Sequence, residues 1–246
     1  MIPFYRDAVP YLSTDQMREV DRLMIDYYHI ELIQMMEHAG RNLATLARHY
    51  FFEGQLEGKA ILVLAGTGGN GGGALVSARW LHNAGAKVDV ILSAPDDKLT
   101  PVPAHQLDIL HQMGLSIAPF SESIEFNPNV HLIVDGLIGY SLTGAPRGTV
   151  ANLIHAANAH SAPILALDVP SGVDATTGTV LNPAINAHAT MTLALPKVGL
   201  KAQQAQTHIG ALFLANIGVP PILYQQPTLA VNVPNLFNQS DIIRIA

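Results

Sequence analysis

From Lys59 onward, short apolar runs alternate with segments of helical periodicity, and this alternation limits the possible folds more than any other feature of the chain. Runs of this kind are typical of parallel strands that are covered on both faces. They lie at 61–65, 88–92, 131–134 and 164–167. Helical patterns lie between them at 74–84, 104–113 and 150–159. This order predicts an α/β fold built on a doubly wound, mostly parallel sheet.

The residues before this alternation predict two helices within about 13–53. Ser13 and Gln16 have the spacing of a capping box, and apolar residues then recur at helical spacing. A break near 29–31 separates the two helices. We interpret their apolar stripe as core packing.

The residues after the alternation predict further strands and a polar tail. Apolar runs at 189–195 and 211–215 are interpreted as strands, and the proline-containing tail from 220 onward as a surface excursion. The sequence contains no repeat or low-complexity linker. We therefore expect one domain over 1–246, with an α/β core at about 59–220 and a tail at about 221–246.

Composition excludes several classes of function. The chain has no cysteine, which excludes disulfides, thiolate metal sites and cysteine nucleophiles. Its formal charge of −6 argues against nucleic-acid binding, which depends on basic surface. No apolar stretch approaches the ~20 residues that a membrane span needs, and the amino terminus lacks the features of a secretory signal. We expect a cytoplasmic protein whose partner is a small molecule.

A glycine-rich segment follows the first predicted strand. Six of the eight residues in 66–73 are glycine, and a helix is predicted to begin at Ala74. Backbone without side chains can approach a ligand closely and direct several N–H groups at a phosphate. The segment also matches the dinucleotide pattern G-x-G-x-x-G. A dehydrogenase would place an acid at the end of the next strand, but that strand ends in Leu92 and Ser93, with Asp89 inside it.

Two other predicted strands end in carboxylates. Asp135 follows the run at 131–134, and Asp168 follows the run at 164–167. The carboxyl ends of parallel strands meet at one sheet edge, so we expect both acids to face the same crevice as the glycines. The segment 139–146 is interpreted as a second ligand-facing loop, because it consists mainly of small and hydroxyl residues.

Other familiar catalytic patterns are absent from the sequence. It contains no nucleophile elbow, no Walker-type phosphate loop and no H-E-x-x-H motif. The eleven histidines never lie three or four residues apart, so no helical metal pair is expected. Lys197 follows a predicted strand and could reach a phosphate, but we interpret it as a solvated lysine.

Five segments carry a resemblance to a known family: MEHAG at 36–40, GTGGNGGGALVSARWL at 66–81, VDGLIGYSLTG at 134–144, LDVPSGVD at 167–174 and TLALPKVGL at 192–200. In this order they resemble the NAD(P)HX epimerase family, also called the YjeF N-terminal domain, from Leu12 to about Pro221. The resemblance implies a Rossmann-like three-layer αβα sandwich with extra N-terminal helices. It also implies interconversion of the R and S epimers of hydrated NADH or NADPH, and a separate dehydratase that acts on the S form and restores the cofactor.

The resemblance further implies a set of site residues. A potassium ion would be held by Asn70, Asp135 and Ser171. The substrate would be contacted by Asp168 and by two segments: Gly69, Asn70, Gly71, Gly72 and Gly73, and then Gly139, Tyr140, Ser141, Leu142, Thr143, Gly144 and Ala145. A homodimer is also implied.

The two aspartates are expected to differ in protonation. Amide, hydroxyl and carboxylate oxygens are ligands that a hard cation takes, and a cation beside Asp135 should favour its ionised form. Asp168 is expected beneath an apolar nicotinamide ring, where desolvation would raise its pKa. Our hypothesis is that Asp168 is the catalytic group and moves a proton at the ring hydroxyl, while the cation and the glycines hold the diphosphate and ribose.

The chain departs from the family pattern in its glycine segment. The usual N-N-G-G-D is replaced by Gly69-Asn70-Gly71-Gly72-Gly73, which lacks the first amide and the final acid, and Ala74 stands where glycine is common. Two other interpretations are therefore kept at this point. One is a non-catalytic nucleotide-binding or scaffold module of the same fold, which the loss of the acid at Gly73 favours. The other is an NAD-dependent dehydrogenase, which the G-x-G-x-x-G match favours.

Overall fold

The molecule is organised by one sheet of eight strands, in a computed structural model that describes residues 2–118 and 126–246. The strands are β1 (Ala60–Ala65), β2 (Lys87–Leu92), β3 (Ser116–Ala118), β4 (Leu132–Gly136), β5 (Ile164–Leu167), β6 (Ala189–Leu193), β7 (Ala211–Ala215) and β8 (Ile242–Arg244). Their order is β3-β2-β1-β4-β5-β6-β7-β8. All neighbouring pairs are parallel except β7 and β8. This is the strand order of the doubly wound Rossmann-like fold with an antiparallel edge, so the predicted fold class is confirmed.

The helices lie on both sides of this sheet. They are α1 (Thr14–Arg22), α2 (Leu32–Leu46), α3 (Gly69–Asn83), α4 (Pro101–Gln112), α5 (Gly148–Ala159) and the short α6 (Gln206–Ile209). Leu75 of α3 packs in the same core as Val63 of β1, whereas Ile154 of α5 packs with Leu64 in a core on the opposite face. Successive strand residues point to opposite faces, so these two cores make the predicted three layers.

The amino-terminal helices form as the sequence predicts. The Gln16 N–H donates to the Ser13 hydroxyl at 3.2 Å, and the Ser13 N–H donates to the Gln16 side-chain oxygen at 2.9 Å, so the capping box is present. A π-helical turn at Leu23–Tyr27 ends the first helical segment, and α2 begins at Leu32. The predicted break between the two helices is confirmed.

Two sequence-based predictions about element boundaries are wrong. α3 begins at Gly69 and not at Ala74, so most of the predicted glycine loop is the first turn of a helix. The tail is not a surface excursion, because it supplies β8 and buries Leu223, Leu236 and Ile243 in a core shared with α1. In both cases tertiary packing outweighs the local preference of glycine, proline and polar residues.

One helix position requires glycine because two helices approach closely there. A Cβ at Gly40 of α2 would lie 2.4 Å from the Val76 Cβ and 2.5 Å from the Gly73 carbonyl oxygen of α3. This contact holds α2 directly over the start of α3. Within the two described ranges, no helix has the length and apolar character needed to cross a bilayer.

Candidate active site

A cavity of about 440 Å³ opens at the carboxyl ends of the central strands. This is the point where the strand order reverses between β1 and β4, which is where ligands bind in open α/β sheets. The lining residues come from α1, α2, the β1–α3 turn, the start of α3, the ends of β5 and β6, and the segments after β4, β5, β6 and β7. They are Met17, Asp21, Leu32, Met35, Met36, Ala39, Thr67, Gly68, Gly69, Asn70, Leu137, Ile138, Gly139, Tyr140, Ser141, Leu167, Asp168, Leu193, Lys197 and Ile217.

The amino terminus of α3 faces this cavity. Gly68 is the N-cap, and the first intrahelical bond runs from the Gly72 N–H to the Gly68 carbonyl at 3.1 Å. The preceding amides of the first turn have no partner within the helix and can bind an anion. The turn is tight, because a Cβ at Gly71 would lie 1.9 Å from the Gly66 carbonyl oxygen. The backbone N–H groups that were predicted to lie in a loop are therefore presented by the start of a helix.

Asp135 lies at the end of β4 and is fully buried beneath the cavity. One carboxylate oxygen accepts from the Ser171 hydroxyl at 2.7 Å and from the Leu137 N–H at 3.2 Å. The other accepts from the Ser171 N–H at 2.9 Å. In the part of the chain that the structure describes, no basic side chain is paired with it. Burial raises the pKa of Asp135 to about 6 in spite of these hydrogen bonds.

Asn70 lies close to Asp135 and Ser171. A Cβ at Gly139 would lie 3.3 Å from the Asn70 side-chain oxygen, and the neighbouring Ile138 N–H donates to the Ser171 hydroxyl at 2.9 Å. The side-chain nitrogen of Asn70 is buried without a hydrogen-bond partner among the described residues. The three residues to which the resemblance assigns a cation thus lie around one loop, with amide, hydroxyl and carboxylate oxygens.

Asp168 follows β5 directly and has a φ of 67°, a left-handed conformation that is unusual for a residue with a side chain. One carboxylate oxygen, Oδ1, accepts from the Lys197 ammonium group, from the Leu193 N–H at 3.2 Å and from the Thr192 hydroxyl at 3.3 Å. Within the described ranges Oδ2 accepts no hydrogen bond. Asp168 therefore has one oxygen held by the protein and one available to a ligand in the cavity.

Lys197 is fully buried, so its interpretation as a solvated lysine is wrong. Its ammonium group donates to Asp168, to the Leu193 carbonyl at 2.9 Å and to the Thr192 hydroxyl at 3.3 Å. These contacts use all three of its N–H donors. The expected setting of Asp168, a carboxyl beneath an apolar ring, thus also contains a buried cation. The sequence gives no signal for this, because the pair joins segments after different strands.

The structure brings together only part of the predicted substrate contacts. The cavity is lined by Gly69, Asn70, Gly139, Tyr140, Ser141 and Asp168, but not by Gly71, Gly72, Gly73, Leu142, Thr143, Gly144 or Ala145. Gly73 lies inside the helix packing, where a Cβ would be 2.9 Å from the Leu167 Cδ2. An acid at position 73 would therefore meet packed side chains at that point.

Sequence reasoning missed two groups that line the cavity. Met17, Met35 and Met36 form an apolar wall, so the stripe interpreted as core packing also contacts the cavity. Asp21 lines the cavity from α1, and the Tyr140 hydroxyl donates to its carboxylate. A signal for Asp21 was present, because this acid of α1 lies four residues after Met17 and three before Met24, at the helical spacing of the apolar stripe.

Comparisons with known proteins relate the chain to one family. A family model described as YjeF-related protein N-terminus matches residues 32–199. The NAD(P)H-hydrate epimerase of Dehalogenimonas lykanthroporepellens is 42% identical over 223 residues, which are 90% of this chain and 87% of that protein. The NAD(P)H-hydrate epimerase of Rhodopirellula baltica is 34% identical over 220 residues, 89% of this chain and 88% of that protein.

Two further comparisons concern the length of a bifunctional relative and the fold of a solved structure. The bifunctional NAD(P)H-hydrate repair enzyme Nnr of Salinibacter ruber is 36% identical over 227 residues, and the chain spans only 42% of its length. The crystal structure of the yeast protein ynu0, YNL200c, matches with a TM-score of 0.80 at 22% identity, over 96% of this chain and 100% of that chain. The yeast protein therefore has the same fold.

Proposed function

The chain belongs to the YjeF-related protein N-terminus family, and on this premise we propose that it is an NAD(P)H-hydrate epimerase, an isomerase that interconverts the R and S epimers of hydrated NADH and NADPH. Its single-function relatives of comparable length carry the epimerase name. Under this proposal the S epimer passes to a dehydratase that restores the cofactor. A homodimer and a cytoplasmic location stay predictions.

The observation that carries the proposal is the position of Asp168 relative to the start of α3. Both line one cavity, which is also lined by apolar side chains of α1 and α2. The free amides of α3 suit a diphosphate, and the apolar wall suits a nicotinamide ring. This arrangement supports a site in which the helix holds the diphosphate and Asp168 meets the ring.

We assign Asp168 the proton transfer at the ring hydroxyl. Its Oδ1 is held by Lys197 and by the Leu193 N–H, so only Oδ2 is available to accept a proton from the substrate. Removal of this proton allows the hydroxyl-bearing ring carbon to become a carbonyl as its bond to the ring nitrogen breaks, and the proton passes to that nitrogen. Closure of the ring on the other face of the carbonyl re-forms the carbon–nitrogen bond and returns the proton to the oxygen, so the other epimer forms without a net change in protons. Lys197 acts here as a positioning residue, because its ammonium group holds the Asp168 carboxylate in place and uses all three of its N–H donors on protein oxygens.

The residues present fit a potassium ion near Asp135. Asp135 is a buried carboxylate without a basic partner among the described residues, and a buried charge without a partner favours binding of a cation. Asn70, Asp135 and Ser171 would hold the ion through oxygen atoms, as hard cations require. The ion would supply positive charge close to the phosphate-binding turn. Described residues contain no cluster of three or more histidine or acidic side chains suited to other metals.

The function is tested by offering the purified protein the R epimer alone, with and without potassium, and following the S epimer by chromatography. We expect conversion that depends on potassium, without any change in the absorbance of the reduced cofactor. Asp168→Asn should lower turnover by about 100-fold or more, since the group that carries the proton is lost. Asp89→Asn is the matched control, because Asp89 lies in the same sheet outside the cavity.

Two outcomes would contradict the proposed function, and a third would contradict only the role of Asp168. Tight nucleotide binding without conversion would support the scaffold interpretation, and an absorbance change would support a dehydrogenase. Full turnover by a folded Asp168→Asn variant would remove Asp168 from the proton transfer while leaving the epimerase activity in place.

A further inference from the structure

Asp21 and Tyr140 form a hydrogen-bonded pair on the cavity wall that the proposed chemistry does not use. Asp21 lies on α1 and Tyr140 lies in the segment between β4 and α5, and both line the cavity. The Tyr140 hydroxyl donates to the Asp21 Oδ2. The pair therefore joins the amino-terminal helix to the segment that follows Asp135.

The charges around this pair keep the phenol protonated. Burial, followed by the negative charge of Asp21, raises the pKa of Tyr140 above its ordinary value. The charge of Asp168 acts in the same direction, and Arg18 acts against it. Burial also raises the pKa of Asp21, while the hydrogen bond from Tyr140 and the charge of Lys197 lower it. Asp168 is thus close enough to influence both groups.

The direction of this hydrogen bond decides what Tyr140 can offer a ligand. A phenol has one hydrogen, and here that hydrogen is donated to Asp21, so toward the cavity the phenol oxygen can only accept. Asp168 likewise presents the oxygen Oδ2 as an acceptor. The wall of the cavity next to Asp168 therefore suits a ligand with two separate hydrogen-bond donors.

We propose that Asp21 positions Tyr140 as an acceptor for the carboxamide N–H of the nicotinamide ring. This inference rests on the proposed function, in which Asp168 meets the ring hydroxyl of the same substrate. The carboxamide is then the other donor on that ring, and the Tyr140 oxygen is an acceptor on the cavity wall that Asp168 also lines. Tyr140 contacts the substrate, and Asp21 acts through Tyr140.

The test compares binding of two hydrated nucleotides that differ only at this group. Hydrated NADH has a carboxamide, whereas hydrated 3-acetylpyridine adenine dinucleotide in its reduced form has an acetyl group without N–H donors. We expect wild type to bind the carboxamide ligand about 10-fold more tightly, the usual size of one hydrogen bond that becomes unpaired. Binding is measured by calorimetry.

Three variants resolve the roles within the pair. Tyr140→Phe removes the phenol oxygen that accepts the carboxamide N–H, so the preference for the carboxamide ligand should fall to about 2-fold or less. Asp21→Leu frees the phenol hydrogen, which can then be donated to the carbonyl of either ligand, so the preference should be lost as well. Asp21→Asn keeps an acceptor for the phenol and should retain most of the preference. Asp15→Leu is the control, because Asp15 lies exposed on the same helix.

The outcomes separate this inference from the proposed function. An unchanged preference in folded Tyr140→Phe and Asp21→Leu would overturn the inference even if wild type epimerises its substrate. A preference that only these two variants lose would support it even if no conversion is observed. If Tyr140→Phe does not fold, the inference is tested by comparing Asp21→Leu, which should lose the preference for the carboxamide ligand, with Asp21→Asn, which should keep most of it. Failure of the wild type to bind either nucleotide would overturn both this inference and the proposed function.

Discussion

Asp135 lies at the end of β4 and Asp168 directly follows the neighbouring parallel strand β5; both are buried, yet the protein surrounds them differently. Asp135 receives hydrogen bonds from Ser171 and Leu137 but, among the described residues, has no cationic partner. Asp168 is paired with the buried ammonium group of Lys197. Lys197 compensates the charge of Asp168, whereas no described basic side chain compensates the charge of Asp135.

Under the proposed function, this difference separates two tasks at the same sheet edge. A buried carboxylate without a cationic partner is costly unless it is protonated or binds an ion, which suits Asp135 to a cation site. A carboxylate that is already paired keeps its geometry without an ion, which suits Asp168 to contact with the substrate. Two carboxylates at the ends of neighbouring strands can therefore have different chemical roles.

The largest effect is expected from breaking the ion pair. Lys197→Met should lower the free energy of unfolding by about 3 to 5 kcal/mol, because it leaves the Asp168 charge buried without a partner. Urea unfolding measures this loss. The double variant Lys197→Met with Asp168→Asn should recover most of the stability, and a loss that is equal in the single and double variants would show that packing of the lysine stem, and not charge, is responsible.

Potassium should stabilise the protein through Asp135 by about 1 to 3 kcal/mol at saturating concentration. The folded-state pKa of about 6 lies above the ordinary value, so ionisation of Asp135 opposes folding as pH rises through 6. Potassium competes with the proton for this carboxylate. Its stabilising effect on thermal unfolding should therefore be larger at about pH 7.5 than at about pH 5. Asp135→Asn should abolish this pH dependence, and an equal effect at both pH values in wild type would contradict the assignment.

The smallest effects are expected from the hydroxyl groups beside each acid. Ser171→Ala should cost about 1 to 3 kcal/mol, because its hydroxyl lies 2.7 Å from Asp135 and also accepts from the Ile138 N–H. Thr192→Val should cost less than about 1 kcal/mol, because its hydroxyl lies 3.3 Å from an oxygen that Lys197 already neutralises. Urea unfolding of both variants checks the order, and a larger loss for Thr192→Val would break the comparison.

The sequence predicts the sheet because its strands are buried on both faces and its acids stand at their ends. In the doubly wound order β4 and β5 are parallel neighbours, so their carboxyl ends bring Asp135 and Asp168 to one edge. The start of α3 could not be predicted, because glycine has a low helix propensity and forms the first turn here through contacts with Gly66 and α2. Local sequence patterns predict the helices and strands, whereas contacts with residues distant in the sequence determine where α3 begins.

The hydrogen-bonding partners of the site residues were harder to predict from the sequence than the positions of those residues. Nothing in the sequence around Lys197 indicates that it meets Asp168, because the pairing depends on where β6 lies beside β5. The pairing of Asp21 with Tyr140 also crosses the fold, although an acid at the helical spacing of the apolar stripe of α1 is a recognisable signal. Sequence reasoning therefore finds Asp135 and Asp168, but it finds neither Asp21 nor the groups that are paired with Asp21 and Asp168.

The central claim, that the two aspartates divide ion binding and substrate chemistry, is tested most directly by locating the ion. Crystals soaked in rubidium, which replaces potassium and scatters anomalously, give this position without any activity measurement. We predict one peak among Asn70, Asp135 and Ser171, and no peak at Asp168. A peak beside Asp168, or none near Asp135 at saturating rubidium, would contradict the account.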